Sequence, residues 1–185
     1  MPVNIRNCVL VDVKRGRFGV LGIVQISLPA PWLWQAEDIS SDMATGSIFR
    51  AYEKGSEYSV GYILVVDVTN DPSEPDVSKL TAEDAITLEE SLRREIRREA
   101  ETSGRTLVKW SPPHLDRLAS LPCLHTSYVL REEGGNWQQS AVRIKAGDRK
   151  LILMATFNVI TEDALEGPLL GAIKGASFTR QLKPT

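Results

Sequence analysis

The sequence predicts an α+β protein, an α/β/α sandwich around a mostly antiparallel sheet. Residues 151–160 alternate so that one strand face is apolar and the other is mixed, which is typical of a central strand with a helical layer against it. Short glycine-bearing turns join the strands that precede this one, as in an antiparallel meander. A charged segment that opens at Thr81 has the spacing of an amphipathic helix.

The N-terminal part reads as strands separated by turns. The expected strands are a short one within residues 1–14, then 17–28, 48–52 and 58–69. Pro29 and Pro31 end the second strand, because proline cannot donate a hydrogen bond to a ladder. We expect residues 29–46 to form a loop that carries Trp32 and Trp34.

The first helix has a start signal, an apolar stripe and a stop signal. Residues 70–79 precede it as a proline-containing loop, the stretch we expect to be most mobile. Thr81 can cap the first turn, and Gly104 ends the helix. The stripe consists of Ala85, Leu88, Leu92, Ile96 and Ala100.

The C-terminal part reads as four strands, a short helix and a last strand. The strands are expected over residues 105–110, 121–131, 137–146 and 151–160. Pro112 and Pro113 end the first of them. Thr161 with Glu162 and Asp163 is typical of a helix start, but proline is tolerated only in a first helical turn, so either the helix begins at Pro168 or a short turn precedes it. A strand then begins near Ser177.

Length and composition are those of a globular protein with one domain over residues 1–185. Hydrophobic residues make up 42% and charged residues 25%, and the net charge of -2 gives no overall attraction to nucleic acid or to an anionic membrane. No apolar run is long enough to span a bilayer, and the N-terminus lacks the apolar region of a signal peptide. We therefore expect a cytoplasmic protein, or a periplasmic one if a leader has been removed.

The residues with metal or nucleophile potential are His114, Asp116, Cys123 and His125. A Cys–His pair can activate a thiolate, and these side chains can hold zinc. However, no CxxC or HExxH spacing supports them, and no GxGxxG or GxxxxGK motif indicates a nucleotide site. We therefore predict no catalytic residues, no metal and no cofactor. Two buried, reduced thiols are the favoured interpretation of Cys8 and Cys123. A disulfide between them is the alternative in an oxidising compartment.

Two tryptophans and two arginines are the candidate partner-binding residues. Trp34 and Trp137 could contact a partner, because tryptophan is enriched at interface hot spots. Arg94 and Arg98 lie on the helix and could bind an acidic partner. The plainer interpretation is a pair of buried tryptophans and a solvated helix face on which arginines alternate with glutamates.

Three segments carry a resemblance to a known superfamily. They are ISLPAPW over residues 26–32, KLILMATF over residues 150–157 and PLLGAIKGASF over residues 168–178. In this order the chain resembles the PsbP-like superfamily, which includes Ran-binding Mog-type proteins, DcrB-type bacterial lipoproteins and Eag-type chaperones of type VI secretion. The resemblance implies an α/β/α sandwich that binds other proteins, with no common catalytic set.

We therefore expect a non-enzymatic protein-binding module that acts as a bacterial accessory protein. The specific roles in view are a secretion chaperone, an effector-immunity protein or a periplasmic lipoprotein core. Its partner would be another protein, such as a secreted effector, and a homodimer is retained as an alternative. The alternatives are a carrier of a small apolar ligand between helix and sheet, and a thiol or metal-dependent enzyme that uses Cys123 and His125.

Overall fold

The computed structural model describes residues 7–12, 23–28, 32–69, 76–119, 121–146, 149–159 and 162–179. The strands are β1 Asn7–Asp12, β2 Ile23–Leu28, β3 Leu33–Ser40, β4 Ala44–Tyr52, β5 Ser59–Thr69, β6 Thr106–Leu118, β7 Leu121–Glu132, β8 Gly135–Ala146, β9 Arg149–Asn158 and β10 Ser177–Thr179. The helices are α1 Ala82–Thr102 and α2 Glu162–Lys174, with a 3₁₀ turn at Val77–Lys79.

The strands form two sheets, and every pairing within them is antiparallel. The large sheet has the order β3-β4-β5-β9-β8-β7-β6, and the small sheet has the order β1-β2-β10. Strand β9 lies in the middle of the large sheet, between β5 and β8, as its two-faced pattern predicts. Strands β6 to β9 form the predicted meander. These features confirm the predicted α+β class.

One face of the large sheet, here called the filled face, is covered by α2 and the small sheet. From β9 it presents Leu151, Leu153, Ala155 and Phe157, and each is at most 1% exposed. These side chains pack in one core with residues of β2, of α2 and of the segment that follows α2; those residues are Val24, Ile26, Leu28, Leu169, Ala172, Ile173 and Ala176. The opposite side of the sheet, here called the open face, meets α1.

The structure corrects the predicted loop at residues 29–46. Residues Leu33–Ser40 form β3, which pairs with β4 along its whole length. Most of its side chains are exposed, so the strand lacks the alternation of apolar and polar residues that identifies a half-buried strand. The hydrogen bonds to β4 determine this edge strand, and a sequence pattern does not record them.

Two predictions about prolines were also wrong. Pro112 and Pro113 do not end a strand, because β6 continues through them to Leu118 with a register shift between Ser111 and His114. The strand lies at the edge of the sheet, where a missing donor is tolerated. Pro168 lies inside α2 and does not begin it.

The remaining element predictions hold wherever the structure describes the residues. The helix over α1, the strand within residues 1–14 and the strand near Ser177 are confirmed. Residues 17–22 of the second predicted strand and residues 70–75 of the predicted mobile loop lie outside the described ranges.

Candidate binding site between helix α1 and the sheet

Helix α1 packs at one side of the open face, against the edge strand β6 and its neighbour β7. Ile96 and Ala100 form a small core with Tyr128. The ring of Trp110 stacks on Tyr128 with 6.1 Å between centroids, and its Nε1 donates a hydrogen bond to Glu89 at 3.1 Å. The helix is therefore fixed above β6 and β7, while β8, β9 and β5 lie beside it.

The first turn of α1 is fixed by the cap that the sequence predicts. The Asp84 N–H donates to Thr81 Oγ1 at 3.1 Å, and the Thr81 N–H donates to Asp84 Oδ2 at 2.7 Å, which completes a capping box. These backbone and side-chain hydrogen bonds lower the pKa of Asp84. Gly104, with φ of +70°, lies just beyond the helix in the left-handed conformation that glycine adopts without strain.

A groove with a volume of about 550 Å³ lies between α1 and the open face. This volume falls within the range of about 300–1,000 Å³ that is usual for small-molecule sites. Its apolar lining comes from both the helix and the sheet and consists of Leu64, Val77, Leu80, Leu88, Leu92, Ile96, Leu124, Ile152 and Met154. Tyr62, Ser91, Gln139 and Tyr128 add polar atoms to this lining.

The floor of the groove consists of the central strands of the large sheet. Leu64 pairs with Met154, and Met154 pairs with Ala141 of β8. Leu64 and Met154 are only half-buried, although they lie on strands in the middle of the sheet. Ala141 is 0% exposed and does not itself line the groove. The groove thus follows from the position of α1 to one side of these strands.

Five charged residues line the groove, and two of them, Arg143 on β8 and Lys150 on β9, lie on the strands of its floor. Three of them are cationic (Arg105, Arg143 and Lys150) and two are anionic (Glu95 and Glu99), so the formal charge of the lining is +1. Glu95 and Glu99 are exposed on α1, whereas Arg143 and Arg105 are half-buried.

Arg143 is held by a buried hydroxyl group. Its Nη1 donates to Thr126 Oγ1 at 2.5 Å, and Thr126 is 0% exposed. Thr126 pairs with Ala141, two residues from Arg143 along β8, so this bond directs the guanidinium towards Ala141. Among the residues that the structure describes, no carboxylate lies within 4.0 Å of Arg143.

The next row of the sheet adds polar side chains beside Arg143. Thr156, Gln139 and Tyr128 pair in sequence across β9, β8 and β7, and all three are buried. Burial raises the pKa of Tyr128, and the nearby positive charge of Arg143 partly opposes this shift. The Oγ1 of Thr156 is buried and has no hydrogen-bond partner among the described residues.

Sequence reasoning did not select Arg143 as a site residue. The signal was present, because strand alternation places Val142 and Ile144 on one face and Ala141 and Arg143 on the other. An arginine in the middle of a predicted strand could have been noticed. Its isolation from carboxylates could not, since that depends on which side chains the fold brings near it.

On the filled face, the structure brings together the histidines and the cysteine that the sequence singled out. His125 Nδ1 lies 3.2 Å from His114 Nε2, and His125 Nε2 lies 2.7 Å from the Oγ of Ser140, a residue the sequence did not indicate. The pKa of His125 is lowered, first by burial and then by the positive charges of His114 and Lys174. A cavity of about 260 Å³ adjoins the cluster.

Cys123 is a free, buried thiol, and Cys8 has a side chain outside the described residues. Burial raises the pKa of Cys123 to about 11, and the carboxylate of Asp116 acts in the same direction. The thiol is therefore protonated at neutral pH and is a poor nucleophile. Within the described ranges, no three side chains of the His, Cys, Asp and Glu types are grouped so that they could hold a metal ion.

The four predicted partner-binding residues lie in separate places. Trp34 is half-buried on β3 and packs against the core of the filled face. Trp137 is half-buried on β8, and its Nε1 is buried with no hydrogen-bond partner among the described residues. Arg94 and Arg98 are exposed on α1. Their role in partner binding stays a prediction, and none of the four lines the groove.

Neither described helix has the combination of length and hydrophobicity that crossing a bilayer requires.

Comparison with known proteins identifies the fold through structure alone. No protein-family profile matches the chain, and no curated protein matches its sequence significantly. The solution structure of cyanobacterial PsbP (CyanoP) from Synechocystis is similar to it with a TM-score of 0.57 at 9% identity, covering 84% of this chain and 86% of that one. The crystal structure of LpqN from Mycobacterium tuberculosis is similar with a TM-score of 0.51 at 15% identity, covering 94% and 91%.

These similarities confirm the predicted PsbP-like fold. At such low identity they establish the architecture and carry no residue roles to this chain.

Proposed function

We propose that the protein, with its PsbP-like fold, is a non-enzymatic accessory protein, and that a small amphipathic ligand binds in the groove between α1 and the large sheet. The observation that carries the proposal is the groove of about 550 Å³, whose walls are apolar and whose few polar groups converge on its floor. LpqN is described as involved in cell envelope biogenesis, which is compatible with such a role.

Two features of the filled face speak against nucleophilic catalysis there. The raised pKa keeps the Cys123 thiol protonated. Ser140, the other candidate nucleophile, is 2% exposed and lies within the ladder between β7 and β9. Its low exposure limits the approach of a substrate carbonyl from solvent. The enzyme that would use Cys123 and His125 is therefore disfavoured.

Two glutamate substitutions on α1 test the groove. Leu88 lines it, whereas Ile86 lies on the same helix, is 68% exposed and does not line it. An uncharged fluorescent probe such as N-phenylnaphthylamine should bind the native protein with about 1:1 stoichiometry. We expect Leu88→Glu to weaken this binding at least about tenfold, because it places a charge in an apolar site, and Ile86→Glu to leave it unchanged. Equal binding by both variants would remove the groove as the site.

A protein partner is the second candidate, and the exposed edge strand β3 favours it. Among the described residues β3 pairs only with β4, so its outer edge presents backbone groups to which a partner strand could add. Leu33 at its start is 56% exposed. A secretion chaperone, an effector-immunity protein and a periplasmic lipoprotein core are the roles we propose for such a partner-binding protein.

Co-purification from the native host tests this candidate, with a matched pair of variants. Leu33→Asp alters the β3 edge, and Val108→Asp alters an exposed apolar residue of the opposite edge strand, β6. A partner recovered with the native protein and Val108→Asp, but lost with Leu33→Asp, would support binding at β3. Recovery with both variants would exclude the region around Leu33, and the identity of the partner would decide among the three roles.

A further inference from the structure

We infer that the ligand of the groove is an amphipathic anion, an apolar chain with a carboxylate or phosphate head group that pairs with Arg143. The inference rests on the proposed function, because it names the chemical class of ligand for the same groove. It concerns the charge of the ligand, which the size and the apolar lining of the groove do not specify.

Arg143 lies in an environment that favours an anionic ligand. Its guanidinium is half-buried among apolar and polar side chains, and Thr126 accepts one of its five N–H donors. No carboxylate among the described residues lies within 4.0 Å of it. A cation that is partly removed from water without a counter-ion costs free energy, so a ligand that supplies the anion gains more here than at an exposed arginine.

Polar side chains that can donate hydrogen bonds lie beside Arg143 in the groove lining. The hydrogen bond to Thr126 places the guanidinium over Ala141, beside the row that contains Gln139 and Tyr128. The amide of Gln139 and the hydroxyl of Tyr128 can donate to the same head group. Both line the groove, as does Arg143. The donors of the floor therefore converge on one region.

The groove has two apolar walls between which an apolar chain can lie. Leu64, Ile152 and Met154 continue the floor away from the guanidinium, and Leu88 and Leu92 face them from the helix. An extended chain that lies between these two walls would have its head group at Arg143. The lining charge supports the same polarity, because its two carboxylates are exposed on the helix and its formal sum is +1.

The test compares ligands that share one chain and differ in head group. Dodecanoate, dodecyl phosphate, dodecanol and dodecyltrimethylammonium are titrated into the full chain below their micelle concentrations and followed by calorimetry. We expect one of the two anions, or both, to bind at least about tenfold more tightly than dodecanol, as a charge-assisted hydrogen bond predicts. The two anions distinguish a carboxylate site from a phosphate site. We expect the cation to bind least.

Two arginine variants locate the effect. Arg143→Met should reduce anion binding to the level of dodecanol, while Arg97→Met, on the exposed face of α1 and outside the groove lining, should leave it unchanged. Arg143→Lys should restore part of the preference for anions. If Arg143→Met does not fold, the head-group preference of the native protein and the Arg143→Lys result remain decisive.

The outcomes separate the two proposals. Equal binding of dodecanol and both anions would overturn the inference and leave the groove as an apolar ligand site. The strongest binding by the cation would overturn it as well. Failure of all four ligands would overturn the inference and the proposed small-ligand function together. An anion preference that survives Arg143→Met would place the head group elsewhere and refute the role of Arg143.

Discussion

The two faces of the large sheet are built from the same strands but packed in different ways. On the filled face, Leu153, Ala155 and Phe157 of β9 are at most 1% exposed under α2 and the small sheet. On the open face, Ile152 and Met154 of the same strand are half-buried, because α1 lies beside them, above β6 and β7. One strand thus supplies the centre of a core and the floor of a groove.

This difference indicates that one face of the sheet mainly stabilises the fold and that the other is available for binding. Close packing on the filled face removes apolar side chains from water and stabilises the fold. The open face keeps apolar surface and a half-buried cation available to a ligand. A substitution should therefore affect mainly stability on one face and mainly binding on the other, and the following predictions probe this separation.

The largest expected effect comes from truncating the filled face. Phe157→Ala should lower the free energy of unfolding by about 3–5 kcal/mol, because it leaves a cavity in a close-packed core. Met154→Ala on the open face is the matched change and should cost less than about 2 kcal/mol, since that side chain is half-buried. Urea denaturation measures both. Equal losses would mean that the two faces are not packed differently.

The reactivity of Cys123 gives the next effect. With its pKa raised to about 11 from a usual value of 9.0, its thiolate fraction near pH 8 should fall about a hundredfold. Iodoacetamide should therefore modify Cys123 at least that much more slowly in the folded protein than in urea. A Cys8→Ser background leaves one thiol to follow by mass spectrometry. Rapid alkylation of the folded protein would show that the filled face opens at this point.

The N-cap of α1 should have a moderate effect. Thr81→Ala removes the side chain that accepts from the first turn and should reduce the free energy of unfolding by about 1 kcal/mol. Thr87→Ala, which removes an exposed hydroxyl from the same helix, is the control and should change it little. Thermal or urea unfolding measures both variants. A loss of groove binding without a loss of stability would indicate that the cap positions the helix wall.

The smallest effect concerns the pH dependence contributed by His125. Its pKa is lowered in the folded state, so the unfolded chain binds the proton more readily and stability falls as the pH drops below about 6.5. Besides burial, the positive charges of His114, Lys174 and Arg143 lower this pKa, with Arg143 acting from the open face, and only Asp116 opposes the shift. His125→Gln should flatten the decrease in the urea midpoint between pH 7.5 and pH 5. An unchanged profile would assign the decrease to other groups.

Local patterns predicted the elements that bury one regular face. The alternation over residues 151–160 predicted the central strand, and the cap and stripe predicted α1. The same rules failed where burial is irregular: β3 is mostly exposed, and β6 contains two prolines at a sheet edge. In both strands the hydrogen bonds to a neighbour decide the conformation, so the strand's own sequence carries little signal.

The candidate site was predicted only in outline. A carrier of a small apolar ligand between helix and sheet was an alternative to the expected protein-binding module, and the structure has a groove there. Arg143 and its hydrogen bond to Thr126 were not expected, because the two residues are 17 positions apart and meet only through the register of β7 against β8. The pairing of His114 with His125 likewise depends on the register of β6 against β7.

The sequence by itself determined which side chains point to each face of the central strands, because strand geometry fixes that alternation within a few residues. Only the tertiary structure decided that α2 and the small sheet cover one face, while α1 stands beside the middle of the other. The position of a helix on a sheet is set by long-range packing of side chains from several strands. Local periodicity, which records which residues are apolar, does not record which neighbour will cover them.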